Sequence, residues 1–106
     1  MNEKQAKFSI GDIVKHKYFN FRGVIYDVDF EFNNSEEWYR SIPKDVRPKK
    51  DQPFYHLLAE NNEITYEAYV SEQNLIIDNS GEPVQHPLIN EIFSEKKGSA
   101  YYKRSN

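Results

Sequence analysis

Hydrophobic and polar positions along the chain fall into short runs that read as strands. Phe8-Ser9-Ile10-Gly11-Asp12 ends in a tight turn that launches the β-branched run Ile13-Val14-Lys15-His16, the first predicted strand. Tyr18-Phe19-Asn20-Phe21 makes the next turn. Arg22 to Asp29 is then rich in strand formers, with Val24, Tyr26 and Val28 on one face. Gly23 inside that pattern predicts a bulge or sharp bend, so the first two strands form a bent hairpin. Phe54 to Glu60 is a third strand, and Asn61-Asn62 suits a turn needing positive φ before a fourth, Glu63 to Val70. In the fourth, Ile64, Tyr66, Ala68 and Val70 alternate with Thr65, Glu67 and Tyr69, which predicts one core face and one face open to solvent or a partner. One helical turn over Ser71 to Asn74 leads into a fifth short strand, Leu75 to Asp78.

Between strands two and three the pattern is lost. Asn34 with Glu37 three residues later resembles a helix cap, predicting a helical turn from Glu36 to Ser41 that Pro43 stops. Pro43, Pro48 and Pro53 punctuate a basic stretch that is no regular element. A loop of this length, 31–53, inside a small domain is functional or disordered, and Trp38-Tyr39 argues against pure disorder. Near the end, Leu88, Ile89, Ile92 and Phe93 lie at helical spacing. Five short strands with a helical turn before the last describe a mainly β fold, a small five-stranded SH3-like barrel with a long inserted loop and a short C-terminal helix. The expected organisation is a flexible N-terminus over 1–7, the barrel domain over 8–95, and a disordered tail over 96–106.

With 106 residues, the chain has enough surface for one core and not two. It contains no cysteine, which excludes disulfides, thiol catalysis and cysteine zinc sites together. No apolar run approaches the ~20 residues of a membrane helix, and the first residues form no hydrophobic signal region, so a cytoplasmic location is expected. Net charge is -3, but the charges come in blocks. Residues 26–42 are acidic, Lys44, Arg47, Lys49 and Lys50 make the only dense basic stretch, and residues 54–78 hold five acidic side chains and no Lys or Arg. Such blocks suit a two-signed surface for protein contacts better than the broad basic excess of a nucleic-acid binder.

No catalytic constellation is apparent. His16 and His56 have no neighbouring Asp in sequence to orient them, and the three histidines make no metal trio by spacing. Asp27 and Asp29 share one side of the second strand, as alternate acidic residues on a wet face commonly do. The four glycines are dispersed, so there is no phosphate loop and no cofactor is expected. The aromatic content, 15%, is more informative. Tyr26, Tyr66 and Phe54 are assigned to the barrel interior. Tyr55, Tyr69, Trp38 and Tyr39 exceed what so small a core holds, so they are candidates for a partner-binding surface, unless the long loop folds over the barrel and buries them.

The runs Phe8 to His16, Arg22 to Asp29, Pro53 to Leu58 and Tyr69 to Leu75, in that order, resemble the YccV-like domain family, labelled hemimethylated-DNA-binding, whose members include a heat-shock protein. The resemblance covers about residues 8 to 78. It implies an SH3-like barrel without enzymatic activity and two roles: a specificity-enhancing factor for the Lon protease, or binding of hemimethylated origin DNA with an effect on the replication initiator DnaA. The charge balance favours the first, since each phosphate contact relies on a Lys or Arg. The expectation is therefore a stress-response adaptor that contacts a Lon-type protease or its clients, with Lys44, Arg47, Lys49 and Lys50 as the possible nucleic-acid contact. A homo-oligomer, a trimer ahead of a dimer, is expected if Tyr55 and Tyr69 form an outward aromatic patch.

Overall fold

In the computed structural model, which describes residues 5–98 and 100–103, the apolar runs pair into one antiparallel sheet. Its strands are β1 (Ile13–His16), β2 (Arg22–Asp29), β3 (Phe54–Glu60), β4 (Thr65–Ser71) and β5 (Leu75–Ile77), in the order β4-β3-β2-β1-β5. Among the described residues no ladder joins β4 to β5, so the sheet is open at that seam. Helix α1 (Glu36–Ser41) and a 3-10 turn (Lys44–Val46) lie between β2 and β3, and a second 3-10 turn (Glu72–Asn74) precedes β5. Helix α2 (Ile89–Ile92) is followed by a separate two-stranded sheet, β6 (Phe93–Lys97) and β7 (Ala100–Lys103). No helix among the described residues is long and apolar enough to cross a membrane.

The sheet is covered on both faces. On the inner face Val14, Ile25, Tyr55, Leu57, Ala59, Val70 and Leu75 pack with Phe8 into one core. On the other, Ile13, Val24 and Leu58 pack with Val84, Ile89, Phe93 and Tyr101. A strand buried on both sides has no reason to alternate, which is why β3 reads Phe-Tyr-His-Leu-Leu-Ala. Tyr55 is fully buried, its hydroxyl accepting the Phe8 amide at 3.1 Å and donating to Glu72 at 2.7 Å.

Three sequence expectations need correction. Gly23 is not the bulge: it pairs in register with Val14 and Ala59, and a Cβ there would stand 2.7 Å from the Leu58 carbonyl oxygen. Its role is close backbone approach. The register slips instead between Ile25 and Asp27, at Tyr26. That extra residue reverses the parity of β2, so Val24 and Tyr26 face the outer core while Val28 joins the inner one.

The helix cap is Ser35 rather than Asn34. Ser35 Oγ accepts the Trp38 amide at 3.0 Å, whereas Asn34 Oδ1 accepts only the Ser35 amide.

Residues 99 and 104–106 lie outside the described residues, but the barrel domain does not end at residue 95, and residues 96–98 and 100–103 are not a disordered tail. They form the hairpin β6-β7, with Tyr101 8% exposed, its amide bonded to the Gly11 carbonyl at 2.7 Å and its hydroxyl accepting the Val84 amide at 3.1 Å. Gly11, at φ +98°, has room for no side chain, since a Cβ would lie 2.0 Å from the Tyr101 carbonyl oxygen. The charges of this tail hid one inward residue, Tyr101, whose ring lies 5.8 Å from that of Phe93. Of the 1–7 segment, residues 1–4 lie outside the described residues, but Ala6 packs on the inner core and the Lys7 amide donates to Glu72.

Deleting residues 96–106 is accordingly expected to destabilise the fold, and Tyr101→Ala alone by about 3 kcal/mol, or roughly 15 °C in the thermal midpoint. Thermal unfolding by circular dichroism checks this. Unchanged midpoints would return the segment to an inert tail.

Candidate functional site

The long loop is neither disordered nor free. Its stem is closed by the Phe32 amide bonding to the Lys50 carbonyl at 2.9 Å, and its interior is wired by side chains. Tyr39 donates to the Pro48 carbonyl at 2.5 Å, and Arg47 donates to the carbonyls of Ile42 and Arg40. Gln52 and Gln73 exchange two hydrogen bonds that tie its end to the turn after β4.

Aromatic rings fix the loop to the outer face of the sheet. Phe32 stands within 5.3 Å of both Tyr39 and Phe54, Trp38 within 5.3 Å of Tyr69, and Tyr69 stacks on Phe54 at 5.1 Å. The Tyr69 hydroxyl accepts the Asn33 amide and donates to Asp29, each at 2.9 Å. Burial raises the Tyr69 phenol well above its ordinary value, and the Asp29 carboxylate adds to this. His56 Nε2 lies 2.9 Å from the same Asp29 oxygen.

The four aromatic candidates therefore separate. Trp38, Tyr39 and Tyr69 come together on one face, half-buried, as the loop folding over the sheet requires. Tyr55 does not join them. It lies across from Val70 in the ladder while His56 lies across from Tyr69, so Tyr55 and Tyr69 point to opposite faces. Tyr55 as a partner-binding residue is corrected to a core residue, and the outward patch that motivated a homo-oligomer loses half its members.

The basic candidates separate too. Arg47 sits over the Tyr39 ring at 5.7 Å, while Lys50 is 4.6 Å from the same ring and 2.6 Å from Glu36, whose carboxyl it holds below the usual range. Lys44 and Lys49 remain exposed.

Where this loop approaches β4, a cleft of about 290 Å³ opens. Trp38, Ile42, Val46, Pro48 and Phe54 form one wall. On the other side of β4 the wall comes from the β1-β2 turn, where Phe21 packs 5.8 Å from Tyr66 and His16 contacts both Phe19 and Phe21. That turn is organised by His16, whose Nδ1 accepts the amides of Tyr18 and Phe19 at 3.0 Å each while its ring stacks on Phe19 at 4.6 Å. Such acceptance requires a neutral imidazole, and burial holds its pKa below the ordinary 6.5.

Sequence reasoning missed Phe32, which the alternation Phe30-Glu31-Phe32 beyond β2 could have flagged, and missed His16 as a turn organiser. It also missed the proximity of Asp27, Asp29 and His56, whose ligand atoms lie within 4.8 Å of one another. Those groups are already hydrogen-bonded, Asp29 as above and Asp27 to the Val28 amide. That contact spans 27 residues and passes through the bulge, so no local motif announces it.

The site is thus an aromatic-lined cleft on a small β domain. The chain belongs to the family described as hemimethylated DNA-binding protein YccV like, whose model matches residues 6–100. It is 34% identical over 95 residues to F-box only protein 21 of Homo sapiens and to that of Pongo abelii. The Mus musculus protein of the same name is 33% identical over 95 residues. These matches cover 89% of this chain and 15% of each relative, so the chain spans a small part of the length of the curated relatives it matches. No solved structure matches.

Two outcomes follow for the cleft walls. Tyr69→Phe is expected to cost about 1 kcal/mol and to raise acrylamide quenching of Trp38, the single tryptophan, as the loop loosens. Unchanged quenching would show that the hydroxyl does not hold the loop. For His16 the folded pKa lies below the unfolded one, so stability is level above about pH 6.5 and falls as pH drops below it, because only the unfolded chain takes the proton. His16→Asn should flatten stability between pH 7 and 5, as read by urea unfolding; an unaltered slope would exclude His16 as its source.

Proposed function

We propose that this chain is a non-enzymatic adaptor that binds protein partners through the aromatic-walled cleft and thereby modulates Lon-type proteolysis in the stressed cytoplasm. The observation that carries this reading is the cleft itself, with Trp38 on one wall, Phe19 on the other and Tyr69 between them. Aromatic side chains set in a partly desolvated recess are the usual anchors of protein interfaces. The charge pattern supports the reading, since Glu67 lines the cleft and residues 54–78 contain no Lys or Arg. The Lon assignment rests on the family resemblance alone. The strand order and the 3-10 turn before β5 support reading the scaffold as an SH3-like barrel open at the β4-β5 seam.

Binding of hemimethylated DNA is the second reading, and the family's description favours it. Lys44, Arg47, Lys49 and Lys50 would carry the phosphate contacts, but Arg47 and Lys50 already serve the loop. Two remaining lysines give a shallow electrostatic term, so affinity should fall only about tenfold between 50 and 200 mM salt.

The full chain and its Trp38→Ala variant, used as baits in lysate of heat-stressed cells probed for Lon, DnaA and DNA, test both readings. Lon or its clients retained by the wild type, and at least fivefold less by a folded Trp38→Ala, is the expected result. Equal retention by both baits would overturn the role of the cleft. In parallel, tight binding of a hemimethylated duplex at physiological salt, with clear preference over its unmethylated twin, would put the DNA reading first.

A further inference from the structure

Consecutive residues of a β-strand point to opposite faces, so six in a row can line one cavity only if that cavity runs along the strand's edge. Tyr66, Glu67, Ala68, Tyr69, Val70 and Ser71 all line the cleft. β4 is the terminal strand of its sheet, paired with β3 alone. The phase of that ladder follows from its two ends, where the Asn61 amide bonds to the Ile64 carbonyl at 3.1 Å and the Glu72 amide to the Pro53 carbonyl at 2.9 Å. Counting inward by twos, Tyr66, Ala68 and Val70 turn their backbone groups toward β3. Thr65, Glu67 and Tyr69 turn theirs into the cleft, and no backbone partner for them appears among the described residues.

The floor of the cleft is therefore an unpaired strand edge between two apolar walls. We propose that it receives an extended peptide of a partner protein by strand addition, with the peptide's amides and carbonyls pairing to Glu67 and Tyr69 and one apolar or aromatic side chain entering between Trp38 and Phe19. Beyond Ser71 the walls are tied through Asn74, whose Nδ2 donates to the Val46 carbonyl at 3.3 Å and whose carbonyl accepts the Lys17 amide at 2.9 Å, so the peptide enters from the Tyr66 end. Ser71 Oγ, in a residue 2% exposed, is buried at that closed end with no hydrogen-bond partner among the described residues, and it offers the peptide one more bond. Exposed Glu67, in a segment without Lys or Arg, selects a Lys or Arg on the peptide. The raised walls disfavour a second copy of this chain, because its own β4 is recessed between the same two walls. This proposal rests on the protein-binding reading above and supplies its partner class.

Glu67→Pro provides the test. It deletes an amide that points into the cleft and leaves the β3 ladder intact, while Glu67→Thr keeps the amide and deletes, as Glu67→Pro also does, the carboxylate with the 2.6 Å hydrogen bond it accepts from the Tyr26 hydroxyl, so the two variants differ in the amide. The probe is a phage-displayed library of random dodecapeptides panned on the full chain, with the strongest binder then synthesised and followed by Trp38 fluorescence. Expected are sequences with an apolar residue flanked by Lys or Arg, binding weakened severalfold by Glu67→Thr and more than tenfold by Glu67→Pro. Both variants should retain the wild-type circular dichroism, and slowed hydrogen exchange of the Glu67 and Tyr69 amides in the wild-type complex gives a readout that does not depend on them. Absence of any binder, equal affinity of the two variants, or unaltered exchange at those amides would each overturn the proposal. If Glu67→Pro still captures from lysate the proteins that the wild type captures, strand addition fails while protein binding stands. Light scattering that showed dimers lost in Glu67→Pro would assign the edge to a second copy instead.

Discussion

A strand that is apolar on both faces needs two covers. β3 runs through the middle of this domain with Phe54, Tyr55, Leu57, Leu58 and Ala59 all removed from water, and the rest of the chain is arranged around that demand. The inner face is closed by the curl of the sheet and by Phe8, held through the buried Tyr55 hydroxyl. The outer face is shared between two additions, the C-terminal segment over Leu58 and the long loop over Phe54. Burying one large side chain contributes about 1.5–3 kcal/mol, so in a domain of this size neither cover is dispensable.

The electrostatics follow the same division. Arg22 bridges Asp78 at 2.5 Å and Glu60 at 2.8 Å and also reaches the carbonyls of Glu82 and Pro83, so a single guanidinium closes the end of the sheet where the C-terminal segment begins. Burial raises the Asp78 pKa, but hydrogen bonds from Ser80 and the Arg22 charge outweigh it and hold the carboxyl below its usual range. In the long loop, Lys50 and Arg47 are spent on Glu36, on carbonyls and on the Tyr39 ring. A basic run in a sequence is thus a poor measure of the positive field a folded surface offers.

The strand pattern was legible because it is local: all five sheet strands occur where the apolar runs placed them, and helix α1 where the cap signal and Pro43 bounded it. What was not legible depends on contacts remote in sequence. The outward assignment of Tyr55 followed from counting how many aromatics one small core could hold, whereas a strand covered on both faces buries Phe54 and Tyr55 alike. The tail looked unstructured because its one core residue, Tyr101, is set among charged and polar positions and meets Phe93 only across a hairpin. For the site, the loop's aromatics were visible as candidates, but the cleft was not, since its second wall is a turn ordered by His16 and its floor is a ladder edge whose phase only pairing defines.

The bulge at Tyr26 lets two successive side chains of β2 face the same way. Upstream of it Ile25 pairs with Leu57 and faces inward; downstream Asp27 pairs with His56, Val28 turns inward and Asp29 reaches Tyr69 and His56 on the outer face. A chain without Tyr26 would pair regularly and leave Val28 and Asp29 facing as they do now, so what the extra residue adds is itself: Tyr26 lies on the outer core, and its hydroxyl donates to Glu67 of β4 at 2.6 Å across the intervening strand. The bulge is thus a graft, one outward aromatic inserted into the strand without disturbing the face that its neighbours present.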